Sequence, residues 1–325
     1  MTTLYVREYG TGVGLNDGRI QVRRKGKILQ EIPALQLKRI VMMVPASITQ
    51  QALHFMMDRG IEIAYLSQNG NYYGAFTRGD GNHVLYRMAQ FKKHGDTRFR
   101  LQLSKRFIEG KIANMLLIWK RQKRHNNNGK QLKQLHEIQQ RLQSAKTLDI
   151  LRGHEGAASV IHFHLLRTAL QGDWYFKQRI RRPPPDPVNA MLSLGYTLLY
   201  SRMSSTIQLH GLDPYLGFFH EIKRGHAALA SDMIEEWRVP AVDALVLRLV
   251  NTHQLKPADF RKDKKGYTMS KPALEKFATA FEARLQKLGS TPNESTDPVA
   301  GMAGQVRQLQ RVLLNKQKKY TAISG

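Results

Sequence analysis

The 325-residue chain carries 51 Lys and Arg against 25 Asp and Glu, a formal net charge of +26, and no Cys. The lack of Cys excludes disulfides and thiolate metal sites, and 42% apolar residues with 23% charged exclude a disordered polyelectrolyte. The run Ile112–Trp119, broken by Asn114 and flanked by Lys111 and Lys120, falls far short of the ~18 apolar residues that span a bilayer. Arg7 and Glu8 stand where a signal peptide needs an apolar stretch, so a cytoplasmic protein without a membrane partner is expected. A sequence pI near 10.3 points to a polyanion, and nucleic acid is the expected partner.

The length suggests two domains. Residues 1–82 read as a small β domain. Strand-like runs occur at Leu4–Val6, Gly18–Val22, Lys27–Leu29, Arg39–Val44, Glu62–Leu66 and Tyr72–Gly74. Turns are expected at Asn16-Asp17-Gly18, Lys25-Gly26-Lys27 and Gln68–Asn71. One short helix interrupts them over Thr49–Asp58, with Ser47 or Thr49 as cap and Leu53, Met56 and Met57 at helical spacing.

Residues 83–325 change to helical period and are expected to form a larger all-α domain, which makes the fold class α+β. Ile108, Ile112, Met115, Leu116 and Trp119 form one stripe; Leu132, Leu135, Ile138 and Leu142 form a second beyond the Asn126–Gly129 break. Further helices are expected over Val188–Leu209, Leu229–Arg238, Ala241–Asn251 and Pro272–Leu288. Residues 83–149 carry a net charge of +12 and residues 209–250 a net of −2, so an acidic stretch sits inside a basic protein. The basic segment can track phosphates, with Lys120, Arg121, Lys123 and Arg124 as DNA-binding candidates. The Lys316–Tyr320 run is expected to be a frayed tail, with a phosphate clamp as the alternative.

A carboxylate cluster in such a surround suits a hard divalent cation acting on phosphodiesters. The candidates are His220 after Phe218-Phe219, and Asp232, Glu235 and Glu236 at i, i+3 and i+4. Asp232 neighbours both glutamates on a helix, whereas those two diverge by about 100°. Glu155 sits between Gly153 and Gly156, a small-residue collar that lets backbones pack closely and can leave Glu155 facing a site, with a packing turn as the alternative. His154-Glu155 and His220-Glu221 lack the second His of a zinc-protease helix, those positions being Ala158 and Arg224. His162 and His164 diverge on a helix and have no third ligand in view; no Walker loop is present.

Four ordered segments now stand together: Leu151–Ala158, Arg181–Tyr200 with its triple proline, Gly211–His220, and Leu229–Arg238. Along nearly the whole chain they resemble the CRISPR-associated integrase and endonuclease family, protein one of the spacer-acquisition pair. The resemblance implies a homodimer built by the β domain, a helical domain with one Mg²⁺ or Mn²⁺ site, and a complex with the small protein two of the pair. It implies Glu155, His220 and Glu235 as catalytic metal ligands, with Asp232 as a further acid and Glu236 as the alternative ligand. Arg181, Arg182 and Asn189 resemble family positions near the DNA. The implied reaction is attack of a fragment's 3′-hydroxyl on a phosphodiester at the edge of a CRISPR repeat. A stand-alone structure-selective nuclease and a non-catalytic nucleic-acid scaffold are the alternatives.

Overall fold

A computed structural model describes residues 2–67, 72–76, 84–122, 128–264, 266–289 and 300–323. The expected turn over Gln68–Asn71, the first half of the Asn126–Gly129 break, and Lys123 and Arg124 lie outside the described residues. The chain divides into two units, residues 1–82 and residues 83–325.

In the first unit, β1 (Thr2–Val6), β5 (Leu37–Met42), β7 (Glu62–Leu66) and β8 (Tyr72–Phe76) form one sheet in the order β1-β5-β7-β8. Its first two pairings are parallel and the third antiparallel. A second sheet has the order β4-β3-β2-β6, from β2 (Thr11–Asn16), β3 (Arg19–Arg24), β4 (Lys27–Pro33) and β6 (Ser47–Ile48). Sequence periodicity missed β2, whose Thr-Gly-Val-Gly-Leu-Asn text lacks the β-branched density of its neighbours. Its two hairpin turns were legible because Asp17-Gly18 and Lys25-Gly26 supply consecutive positive φ values of 45° and 70°, and 47° and 80°. Helix α1 (Gln50–Asp58) starts where Thr49 caps it, its hydroxyl accepting from the Ala52 N–H at 3.3 Å. Val13, Ile20, Ile40, Met56 and Ile63 form the middle of this unit's core.

The second unit runs through α2 (Val84–His94), α3 (Thr97–Gln122), α4 (Gly129–Arg141), α5 (Leu148–Ala169), α6 (Pro187–Leu209) and α7 (Ala228–Trp237). A π-helical turn over Arg238–Asp243 leads into α8 (Ala244–Asn251), followed by α9 (Lys271–Gly289) and α10 (Ala300–Leu313). Thr147 caps α5, and Asp186 caps α6 with Pro187 in the first turn, where a missing N–H costs nothing. The unit also holds a two-stranded antiparallel hairpin, β9 (Phe260–Asp263) with β10 (Gly266–Met269), which helical periodicity did not foresee. Every residue of α7 is buried, and the helix packs against α3 and α6. A helix buried on all sides has no solvated stripe, so its acids must find partners inside the protein.

The expected frayed tail is instead docked. Tyr320 is 2% exposed, with its ring edge-on to Phe107 at 5.0 Å between centroids. Asn114 of α3 donates to the Ile323 carbonyl at 3.1 Å, and Ile323 donates its own N–H to Glu236 at 2.8 Å. A buried aromatic ring and satisfied backbone groups outweigh the conformational freedom that terminal residues usually keep.

Candidate metal and catalytic site

Three helices and one loop bring the site together. α5 presents Glu155, α7 presents Glu235, α3 presents Lys111, and the loop before α7 presents His220. The Lys111 ammonium bridges the two carboxylates: it contacts Glu155 Oε1 and stands 2.7 Å from Glu235 Oε2. His220 Nε2 lies 3.9 Å from Glu235 Oε1, and Arg238 Nη2 lies 3.0 Å from the same oxygen.

Burial alone would raise the Glu235 carboxyl, but Arg238, Lys111 and His220 together draw it down to about 2. Burial likewise opposes the charge on Lys111 and Arg238, and the facing carboxylates more than offset it, so both hold their protons more firmly than usual. Glu235 therefore stands as a carboxylate between two cations, Lys111 and Arg238, inside the fold.

Asp232 does a different job from the one its spacing suggested. It is fully buried, and its Oδ2 accepts from the Phe218 and Phe219 N–H groups at 2.5 and 3.0 Å. Its Oδ1 accepts from the His220 N–H at 2.8 Å and sits 2.7 Å from His220 Nδ1. Nδ1 is thereby the ring nitrogen turned to Asp232, and Nε2 is the one that faces Glu235. The loop closes this tightly because position 217 is glycine. A Cβ there would come within 2.8 Å of Asp232 Oδ2 and 2.7 Å of the Ala228 backbone.

Glu236 is separated from the site as helical geometry requires. Its carboxyl accepts from Tyr320 Oη at 2.5 Å and from the Ile323 N–H at 2.8 Å, and burial pushes it up to about 8 despite those two bonds. It anchors the C-terminal segment and does not face His220 or Glu155, which corrects its standing as an alternative ligand.

The glycines beside Glu155 also act differently from expectation. A Cβ at Gly153 or Gly156 would meet nothing within 4 Å, so they leave open space and are not a packing collar. Glu155 keeps 23% of its side chain exposed.

Asn189 is fully buried. Its Oδ1 accepts from Arg179 and the Ile180 N–H, both at 2.9 Å, and its Nδ2 donates to the Gln178 carbonyl and Asp186 at 2.9 and 2.7 Å. With each hydrogen-bonding position used inside the protein, it fastens the loop before α6. Arg181, Arg182, Lys120 and Arg121 are exposed. His162 is spent in the core, where Nδ1 accepts from the Trp119 indole at 3.0 Å and Nε2 stands 2.9 Å from Asp243.

Sequence reasoning missed Lys111 and Arg238. Lys111 lies three residues after Ile108 and four before Met115, a charge on the apolar stripe of α3, and such a residue needs a buried counter-charge. Arg238 is one turn beyond Glu235.

Among the described residues no group of three His, Asp or Glu stands in closed metal-holding geometry, and the Lys111 ammonium contacts both glutamates. The donor set nevertheless fits a hard cation in kind: two carboxylates and the Nε2 of one imidazole, which offers its lone pair once its proton has left. Glu235 Oε2 is buried and meets no hydrogen-bond donor in acceptable geometry, with only the Lys111 ion pair beside it.

A family model described as CRISPR associated protein Cas1 matches residues 4–283. The chain belongs to the Cas1 family. The CRISPR-associated endonuclease Cas1 3 of Thermus thermophilus is 34% identical over 287 residues, 87% of this chain and 85% of that protein. A solved Cas6-RT-Cas1–Cas2 complex contains a chain that superposes with a TM-score of 0.84 at 25% identity, covering 99% of this chain and 36% of that longer one. A casposase bound to integration product superposes with a TM-score of 0.87 at 21% identity over 99% of this chain and 93% of its own, a likeness of fold. By family the chain is a CRISPR-associated endonuclease, with a β-sheet unit ahead of a helical one. No helix among the described residues is long and apolar enough to cross a membrane.

Proposed function

We propose that this Cas1-family chain inserts short DNA fragments into CRISPR-repeat DNA, with Glu155, His220 and Glu235 as ligands of one Mg²⁺ or Mn²⁺ ion. The observation that carries the reading is the convergence of Glu155 and Glu235, 80 positions apart in sequence, on the ammonium of Lys111, with His220 Nε2 3.9 Å from Glu235. A buried group of two carboxylates already balanced by a cation is a place where a metal cation can substitute. When bound, that ion supplies charge stabilisation at the scissile phosphate.

The protein's own residues perform the rest. Asp232 fixes the His220 tautomer and ring orientation, the task of a carboxylate behind a ligating histidine. Arg238 and Lys111 keep Glu235 ionised, and Arg238 is itself held over the Tyr196 ring at 5.1 Å. The exposed side of Glu155, bordered by the open space at Gly153 and Gly156, is the approach for a phosphodiester. Strand transfer forms one P–O bond from the incoming 3′-hydroxyl and breaks one P–O bond in the target strand, so phosphodiester number is conserved and no external energy is needed. The same site with water as nucleophile cleaves DNA.

Partnership with a Cas2 dimer, homodimerisation through residues 1–82, action in the cytoplasm, and backbone tracking by Lys120, Arg121, Arg181 and Arg182 belong to the same proposal. The superposed Cas6-RT-Cas1–Cas2 complex supports the first, and a formal charge of +26 supports the last. The test is strand chemistry on end-labelled branched DNA mimicking a half-integrated fragment, with Mg²⁺ or Mn²⁺ and with the Cas2 partner added. Metal-dependent release and rejoining, lost in Glu155→Ala while DNA affinity and fold persist, is the expected result. Shortened strands without joining would leave a nuclease only; binding without strand chemistry in the complete mixture would overturn the enzymatic reading.

A further inference from the structure

The helical unit contains a second polar feature that none of Glu155, His220 or Glu235 lines. It is a cavity of about 440 Å³ between the end of α3, the π-helical turn, α8 and α9. Leu117, Ile118 and Leu247 make part of its wall apolar, and Arg121, Arg248 and Arg284 point their charge into its surroundings without one Asp or Glu in the lining.

Three other arginines with little exposure are each held by an acid. Arg39 is paired with Glu62 at 3.0 Å, Arg202 with Glu282 at 2.6 Å, and Arg238 with Glu235 at 3.0 Å. Arg284 instead spends its Nε–H on the Pro240 carbonyl, 2.7 Å away, and no acid among the described residues pairs with it. Burial first, then the nearby charges of Arg121 and Arg248, make its guanidinium hold a proton less firmly than usual, with no carboxylate to offset them. Three guanidiniums that repel one another beside an open cavity gain most from an anion, and their forked N–H groups match the oxygens of a phosphate. The volume lies in the range of sites that take a ligand with an organic part, well above a bare phosphate.

We propose that this cavity is a second anion site that binds a phosphate ester, with Arg121, Arg248 and Arg284 on the phosphate and the Leu117, Ile118 and Leu247 wall against the attached sugar or base. The phosphate ester comes from a nucleic-acid strand or from a free nucleotide. The site does not depend on the metal reading, since it shares no residue with the Glu155 cluster. Its wall includes the carbonyl of Pro240, within the π-helical turn that follows directly from α7, and such turns concentrate at functional positions.

The experiment uses the full chain, with Arg248→Gln as the principal variant because Arg248 is exposed. Arg284→Gln is the second variant, and Arg307→Gln, an exposed arginine of α10 away from the cavity, is the comparator. The probes are dAMP by calorimetry and thermal shift, and labelled single-stranded and duplex 20-mers by anisotropy across a salt series. Arg248→Gln is expected to weaken at least one probe about fivefold or more, while its melting temperature without ligand at low salt stays level or rises as like-charge repulsion is relieved. Loss of dAMP binding identifies a free nucleotide. Weaker oligonucleotide binding, with a salt slope reduced by roughly 0.7 to 0.9 and no response to dAMP, identifies a strand phosphate. Both outcomes support the site. Equal binding of every probe by both cavity variants, or an equal loss in Arg307→Gln, overturns it. Glu155→Ala run alongside keeps the two readings apart, because it should bind every probe as the unsubstituted chain does.

Discussion

Docking of the C-terminal segment onto α3 and α7 makes the most exposed prediction, because it assigns a structural role to residues whose sequence suggests a loose tail. Tyr320 is the anchor: it buries its ring against Phe107 and donates to Glu236. Tyr320→Ala removes a buried aromatic and should cost about 3–5 kcal/mol, or roughly 6–20 °C in melting temperature for a unit of this size. Tyr320→Phe keeps the ring and removes only the hydroxyl, leaving the buried Glu236 carboxyl one partner short, for about 1–3 kcal/mol. A third perturbation acts from the opposite side. A Cβ at Gly110 would stand 2.3 Å from Ala322 Cβ and 3.3 Å from Glu236 Cβ, so Gly110→Ala should displace the segment at about 1–3 kcal/mol. Urea unfolding of the three variants checks the scale, and hydrogen exchange at Thr321–Ile323 checks the location. If Tyr320→Ala shifts stability by less than about 1 kcal/mol, or if Gly110→Ala leaves exchange at Ile323 unchanged, the segment is not docked as described and the reasoning fails.

The remaining predictions concern the site and its supports. Asp232→Asn turns an amide N–H₂ toward backbone donors and weakens the grip on His220 Nδ1; strand-transfer activity and divalent-metal affinity should each fall roughly 10–100-fold, and retention of both would remove Asp232 from its positioning role. Lys111→Met takes the cation from between two buried carboxylates and should destabilise by about 3–5 kcal/mol. Adding millimolar Mg²⁺ or Mn²⁺ should then raise the melting temperature of this variant more than that of the unsubstituted chain, and equal shifts would show that metal does not take the place Lys111 fills. Asn189→Ala should cost about 1–3 kcal/mol by orphaning the groups it joins while leaving DNA affinity unchanged; weaker DNA binding at undiminished stability would restore it to the DNA interface.

Much of the local structure was written in short-range chemistry. The hairpin turns at Asp17-Gly18 and Lys25-Gly26, the Thr49 cap and the Pro187 start each depend on residues within a few positions, so the sequence shows them directly. The helical stripes of α3 and α4 belong to the same class, since periodicity needs only one segment. Strand β2 escaped because two glycines dilute its pattern and its pairing with β3 supplies what local propensity lacks. Tyr320 escaped because its burial rests on Phe107 and Glu236, more than eighty positions away in each case.

The candidate site divides along the same line. Sequence alone determined that a very basic, cysteine-free chain carries a small set of acids, and that Glu235 and Glu236 on one helix must face different ways. Only the tertiary structure decided which faces what. It turned Glu235 to Lys111, Arg238 and His220, Glu236 to Tyr320, and Asp232 to the backbone of its own loop. The physical reason is that an acid's role follows from the charge and donors around it after burial, and α7 obtains those partners from α3, the loop before it and the C-terminal segment, at separations that no local pattern records.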